Sequence, residues 1–247
     1  METTPTTAAI TGVTGGAGAT RLTTEVGTAL AMDGADVVLT DVAFGTQGLS
    51  DYVPGRIETD LVTLVTNDDP EPAAVTERLP IDTVGRIECL PSRASFAALT
   101  RAKTAGAART FEDVLDALAG EFDYVLVDTP PVATNPSVAA VTSADRVGLL
   151  SPGTPRGVDA LQRLRARLTD VGTTDDLAVA NRTDTLPDGS IDIAVPESDR
   201  TGIPELPAVT ELDARFAPAV ATVAEELVDR PLELAFEEPG LTERLRP

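Results

Sequence analysis

At 247 residues the chain has the length of one α/β domain with a generous core. No apolar run reaches the roughly 18 residues of a membrane span and no signal-like segment occupies residues 1–9, so a cytoplasmic domain over residues 1–230 with a tail over 231–247 is expected. A net charge of −21 argues against anionic partners, and one cysteine with no histidine excludes an internal disulfide and any zinc or haem signature.

Residues 8–13 read as a strand that runs into the glycine-rich turn Thr14-Gly15-Gly16-Ala17-Gly18-Ala19-Thr20 and then into a helix over 19–33, with apolar spacing at Leu22, Val26, Ala29 and Leu30. Backbone amides at such a turn, with the positive helix end behind them, form a phosphate site. The glycines let an anion approach the backbone, and Thr20 offers a hydroxyl where a P-loop holds Mg²⁺. The lysine of a P-loop is missing: its position is Ala19, and Arg21 is out of register.

Residues 36–41 (DVVLTD) form a buried strand whose unbroken apolar run suits a parallel sheet. A turn-rich connection over 44–72 follows, then a short helix over 73–79, a strand over 86–91 that contains Cys89, and helices over 94–104 and 110–121. FDYVLVD at 122–128 is the strongest central-strand signal and runs straight into TPP. A strand over 146–151, an amphipathic helix over 157–171, a strand over 177–181, a short strand over 192–195 and a closing helix over 210–229 complete the pattern. Alternation of this kind predicts a doubly wound, mostly parallel sheet flanked by helices, with its ligand site at the carboxyl ends of the strands.

Thr11 to Gly18 also fits T-G-x-x-G-x-x-G, a dinucleotide turn that needs no lysine, and Asp41 stands where an acid would take the ribose hydroxyls of NAD(P). The tyrosine and lysine of the corresponding dehydrogenases are not matched, because Tyr52 is followed four residues on by Arg56 and Tyr124 by Asp128. That reading therefore stands as a binding protein without dehydrogenase chemistry.

Taken together, the motifs resemble the ParA/MinD family of P-loop ATPases, the deviant Walker A group of the SIMIBI class, over about residues 8–230. The family loop K-G-G-x-x-K-T corresponds to Thr14–Thr20 with both lysines replaced, and its D-x-D to Asp41-Val42-Ala43 with the water-positioning aspartate lost. Its D-x-P-P-G switch corresponds to Asp128–Val132, the strand and loop after it to Ala144–Pro155, its adenine-reading asparagine to Asn181, and its late I-P-x-D loop to Val195–Asp199. The resemblance implies a three-layer α/β/α fold and ATP with Mg²⁺, bound weakly or not at all. Thr14, Gly15, Gly16, Ala17, Gly18, Ala19, Thr20, Arg21 and Asn181 would lie at the nucleotide, and Thr20, Asp41 and Asp128 at the metal, the two aspartates being remnants of a catalytic set.

Phosphoryl transfer depends on positioning and on stabilising charge at the transferred group. Loss of both lysines and of the second aspartate therefore predicts a hydrolysis-deficient switch or scaffold in positioning, partitioning or signalling. A slow but genuine ATPase, with charge supplied by Arg21, Arg156 or Arg182, is the alternative. An unknown protein partner is implied, together with either a monomer or a homodimer indifferent to ATP, because Thr14 carries no charge across an interface. Such a dimer would be held by surfaces around the crevice, Pro130 to Pro136 and Ser151 to Pro155. The tail, with Pro239-Gly240 and an acidic pair, predicts no autonomous membrane binding. The acidic, lysine-poor composition resembles that of halophile proteins, and in molar salt repulsion from DNA is largely screened, so the charge disfavours DNA binding without excluding it.

Overall fold

The computed structural model describes residues 5–66, 71–187, 191–203, 207–211 and 215–236. Eight strands form one sheet: β1 (Thr6–Gly12), β2 (Val37–Asp41), β3 (Glu77–Arg78), β4 (Ile87–Leu90), β5 (Tyr124–Thr129), β6 (Arg146–Pro152), β7 (Leu177–Asn181) and β8 (Ile193–Val195). Their order is β3-β4-β2-β5-β1-β6-β7-β8, and every pairing is parallel except β3 with β4.

The central strands are apolar without a break because both faces are covered. Ala9, Val38, Val125, Val127 and Leu149 face one core, while Ile10, Val37, Leu39, Leu126 and Leu150 face the other, which is the two-residue period of the pleat. The first core is closed by α2 (Leu61–Leu64), α4 (Ala105–Ala119), α5 (Asn135–Ser143) and α6 (Pro155–Asp170), and the second by α1 (Ala19–Met32) and α7 (Phe216–Val228). The short α3 (Phe96–Ala102) leads into α4, whose cap Thr104 accepts from Ala107 N–H at 3.2 Å. The three-layer α/β/α architecture expected from the alternation is present, and Ile10, Val38, Leu39, Val125, Leu126 and Val127 are all buried. Cys89 is also in the core.

Three elements differ from expectation. Residues 73–79 are not a helix: a 3₁₀ turn over Pro72–Ala74 gives way to β3, whose Glu77 and Arg78 pair with Cys89 and Glu88. A two-residue edge strand has no apolar period to reveal it. Helix α5 is an addition to the expected elements; Pro136 is tolerated in its first turn, and Thr134 and Ser137 form a capping box there. The closing helix starts at Phe216, preceded by a 3₁₀ turn over Ala208–Glu211, with residues 212–214 outside the described set.

Beyond α7, Leu232, Leu234 and Phe236 pack against the α1/α7 core. Leu232 N–H donates to Glu225 Oε1 at 2.9 Å, Glu233 N–H donates to Asp33 Oδ1 at 2.6 Å, and Arg230 pairs with Asp33. Residues 231–236 thus lie as a strap on the domain, and 237–247 fall outside the described residues. No helix among the described residues is long and apolar enough to cross a membrane.

Candidate functional site

The glycine-rich turn lies at the carboxyl edge of the sheet, between β1 and α1. Val13 N–H still reaches Leu150 C=O at 2.9 Å, after which the chain leaves the sheet and Ala17 N–H turns back onto Thr14 C=O at 3.3 Å. Gly16 and Gly18 have φ of 76° and 97°, a region that side chains with Cβ avoid. Gly15 and Gly16 are exposed, and a Cβ built on either would meet nothing within 4 Å, so the outer face of the loop is open.

Thr20, in the first turn of α1, donates its hydroxyl to Asp128 Oδ2 at 2.6 Å. The central strand β5 brings Asp128 there and sets it in register beside Asp41 of β2. The two carboxyls play different parts. Asp128, Thr20, Ala43, Thr46 and the loop line a cleft of about 380 Å³, whereas Asp41 is wholly buried behind it. Asp41 accepts from Ala43 N–H at 2.7 Å and from Leu49 N–H at 3.4 Å, and so organises the segment after β2. Burial pushes Asp128 up to about 6 against the Thr20 hydrogen bond, and burial together with the Asp128 charge holds Asp41 well above the ordinary carboxylate range. The ammonium group that would offset two buried carboxyls is absent from this site, with Ala19 and Thr14 at the lysine positions.

A second cleft of about 290 Å³ adjoins the first on the side of β7. Asn181, at the end of that strand, donates Nδ2–H to Ala17 C=O at 2.8 Å and accepts from Arg182 N–H at 3.0 Å, so its amide is engaged at both ends. Gly18 makes room for it, because a Cβ there would stand 2.5 Å from Asn181 Nδ2. Val195 and Ser198 of the late V-P-E-S-D loop also line this cleft.

Of the three candidate arginines, Arg21 is committed to neighbours: its Nε–H faces Glu25 Oε1 at 3.4 Å and its guanidinium lies 5.3 Å from the Phe216 ring centre. Arg156 is exposed on α6 and lines neither cleft, while Arg182 is exposed and lines both. Sequence reasoning missed Glu25. This buried carboxylate accepts from Ala208 and Val209 N–H at 2.9 and 2.8 Å and ties the segment after residue 206 to α1. Burial raises its pKa while those amides and Arg21 oppose the shift. An acidic residue inside the apolar stripe of α1 was the available signal. Tyr52 was missed as well; it lines both clefts, and burial pushes its hydroxyl up to about 12.

A parallel sheet in which β5 separates β1 from β2, with a glycine-rich turn between β1 and α1 and a threonine–aspartate pair at its foot, defines a P-loop nucleotide-binding domain. Dinucleotide-binding sheets place the first two strands side by side instead. A family model described as "AAA domain" matches residues 6–178. The chain is 33% identical over 193 residues to the septum site-determining protein MinD of Bacillus subtilis, covering 68% of each, and 31% identical over 164 residues to that of a Synechocystis species, covering 57% of this chain and 58% of the relative. Among solved structures it matches MinD of Pyrococcus horikoshii complexed with Mg-ADP at a TM-score of 0.71 and 20% identity, covering 89% of this chain and 95% of that one. It matches the ATP complex of a Cyanothece McdA variant at 0.73 and 20% identity, covering 95% and 100%. The chain belongs to the ParA/MinD family of P-loop ATPases.

Proposed function

We propose that this chain is a nucleotide-binding family member deficient in hydrolysis, which works as a switch or scaffold subunit in intracellular positioning or partitioning. The observation that carries the reading is a loop that keeps its open backbone face and its Thr20–Asp128 pair while Thr14 and Ala19 stand in place of two cations.

The donor set fits a nucleotide with Mg²⁺. Gly15 to Gly18 would cradle phosphate with backbone N–H groups, Thr20 and Asp128 would hold the metal side, and Val195 and Ser198 would wall the base. The metal, when bound, supplies charge neutralisation to the phosphates. In this chain Thr20 fixes the Asp128 carboxylate, and Asp41 pins Ala43 and Leu49 so that the segment beside the cleft keeps its course. Asn181 holds the loop through Ala17 with one of its two amide N–H groups and accepts from Arg182 N–H, which leaves one N–H for a base. Absent at the terminal phosphate are a side-chain cation, with Ala19 and Thr14 at the lysine positions, and, with Ala43, a side chain to orient water. Losing each such contribution costs roughly 2.7–4 kcal/mol of transition-state stabilisation, so turnover falls by orders of magnitude.

The relatives support a role in cell organisation: the two MinD proteins are septum site-determining proteins, and one structural neighbour is a MinC:MinD cell division complex from Aquifex aeolicus. By analogy this chain would act on a protein partner through its nucleotide-dependent face. A slow ATPase whose charge comes from an arginine is the second reading, favoured by Arg182 at the crevice.

Steady-state phosphate release decides between the two. Turnover is expected at background, and Ala19→Lys is expected to strengthen Mg-ATP binding before it restores turnover. Hydrolysis at the rate of lysine-containing relatives, abolished by Asp128→Ala, would overturn the hydrolysis-deficient reading. Calorimetric titration with Mg-ATP and then NAD at molar KCl tests the ligand class.

A further inference from the structure

Arg182 is one of three residues other than glycine with positive φ among the described residues, at 58°. A residue with a Cβ pays on the order of 1–2 kcal/mol for that conformation, so the turn must be held from outside. It is: Arg182 N–H donates to Asn181 Oδ1 at 3.0 Å, Gly153 N–H to Asn181 C=O at 3.1 Å, and Thr183 N–H to Val195 C=O at 3.1 Å. The turn sets the guanidinium beside the phosphate loop, with Nη2 3.9 Å from where a Cβ of Gly18 would stand. Arg182 forms no ion pair among the described residues, whereas the other cation lining the clefts, Arg21, has its charge paired with Glu25 and lies beside Phe216, although its buried Nη2 has no hydrogen-bond partner. Both cations that line the phosphate cleft also line the base-side cleft, so positive charge is confined to the junction of the two.

We propose that Arg182 supplies in cis the positive charge lost from the loop, and that it does so at the phosphates nearest the nucleoside, so that the crevice binds nucleoside di- and triphosphates alike. This rests on the nucleotide-binding reading above. A terminal phosphate reaching past Gly18 meets Thr20, Asp128 and Ala43 with no side-chain cation, so beyond the metal that accompanies either nucleotide it gains nothing from the protein over a diphosphate that ends earlier. Occupancy then reports the presence of nucleotide rather than its phosphorylation state.

Titration calorimetry with Mg-ATP and Mg-ADP tests this on the wild type, Arg182→Gly, Arg182→Lys and Arg156→Ala. Expected are dissociation constants for the two nucleotides within about three-fold of each other. Both should weaken by about 10- to 100-fold in Arg182→Gly, the range of a lost charge-assisted hydrogen bond. Arg182→Lys should fall between, and Arg156→Ala should match the wild type. The melting temperature of Arg182→Gly should hold or rise, because glycine accepts positive φ without strain; this separates a binding role from a structural one. Mg-ATP binding about ten-fold or more tighter than Mg-ADP, or Arg182→Gly binding like the wild type, overturns the proposal and leaves the nucleotide site standing. If the wild type binds neither nucleotide, the proposal and the nucleotide-binding reading both fall.

Discussion

Asp128 concentrates the energetic conflict of this molecule in one carboxyl. Its pKa stands at about 6 in the folded chain against an ordinary aspartate value near 3.9, so folding favours the protonated form. Stability from this group is complete below pH 4 and is lost as pH rises toward and through 6, since over that window the folded chain binds the extra proton. Asp128→Asn keeps an acceptor for Thr20 and removes the charge. It is expected to raise unfolding stability at pH 8 by about 2–3 kcal/mol while changing little at pH 3.5, as read by denaturant titration at both values. Equal gains at the two pH values would show that the charge is not the cause. A related change, Thr20→Val, deletes the hydrogen bond that opposes the shift and should cost about 1–2 kcal/mol at pH 8.

Between elements, Glu25 acts as a bolt: one side chain of α1 satisfies two consecutive backbone N–H groups of a segment more than 180 residues away. Glu25→Ala leaves both amides buried without acceptors and is expected to cost about 2–4 kcal/mol. Hydrogen exchange at Ala208 and Val209 should accelerate far more than exchange in β5; uniform acceleration would mean global unfolding instead. A long-range clasp of this sort is invisible in sequence, because nothing local at Glu25 marks its partners. What was legible is what repeats. DVVLTD and FDYVLVD declared themselves as central strands by unbroken apolar runs, and the turn Thr14–Thr20 by its glycines. The first turn of α4 and all of α5 are hidden because AGAA and NPSVAAVTS are built from small and β-branched residues without an apolar stripe, and are settled by the caps Thr104 and Thr134. Within the site, the positions of Thr20 and Asp128 were readable by motif, while the inward turn of Asp41 and the double engagement of Asn181 needed strand register and neighbours.

For the molecule as a whole, two surfaces bear on assembly. Ser151 and Pro136, expected among the contacts of a dimer, are buried in the subunit, so less apolar surface is offered beside the crevice than the sequence suggested. A monomer, or a dimer indifferent to Mg-ATP, is expected by light scattering at molar KCl; dimerisation only with Mg-ATP would show that the missing lysines are not required. The strap over 231–236 gives a second test. A chain ending at Arg230 loses the contacts of Leu232, Leu234 and Phe236 and should give up about 2–4 kcal/mol of stability, without any change in co-sedimentation with anionic vesicles. Vesicle binding by the full chain alone would assign the tail to the membrane.

The strand order also sets a clock. Thr20 meets Asp128 across 108 residues of sequence, and β1 finds no neighbour in the sheet before β5 has been made. At ribosomal rates of about 5–20 residues per second, the glycine turn and the apolar β1 wait roughly 5–20 s before the central strand arrives. The strand that carries the glycine turn is thus the strand held longest unpaired during synthesis. The acidic surplus spread along the chain has a use at that moment, keeping nascent copies apart while the sheet is still open in the middle.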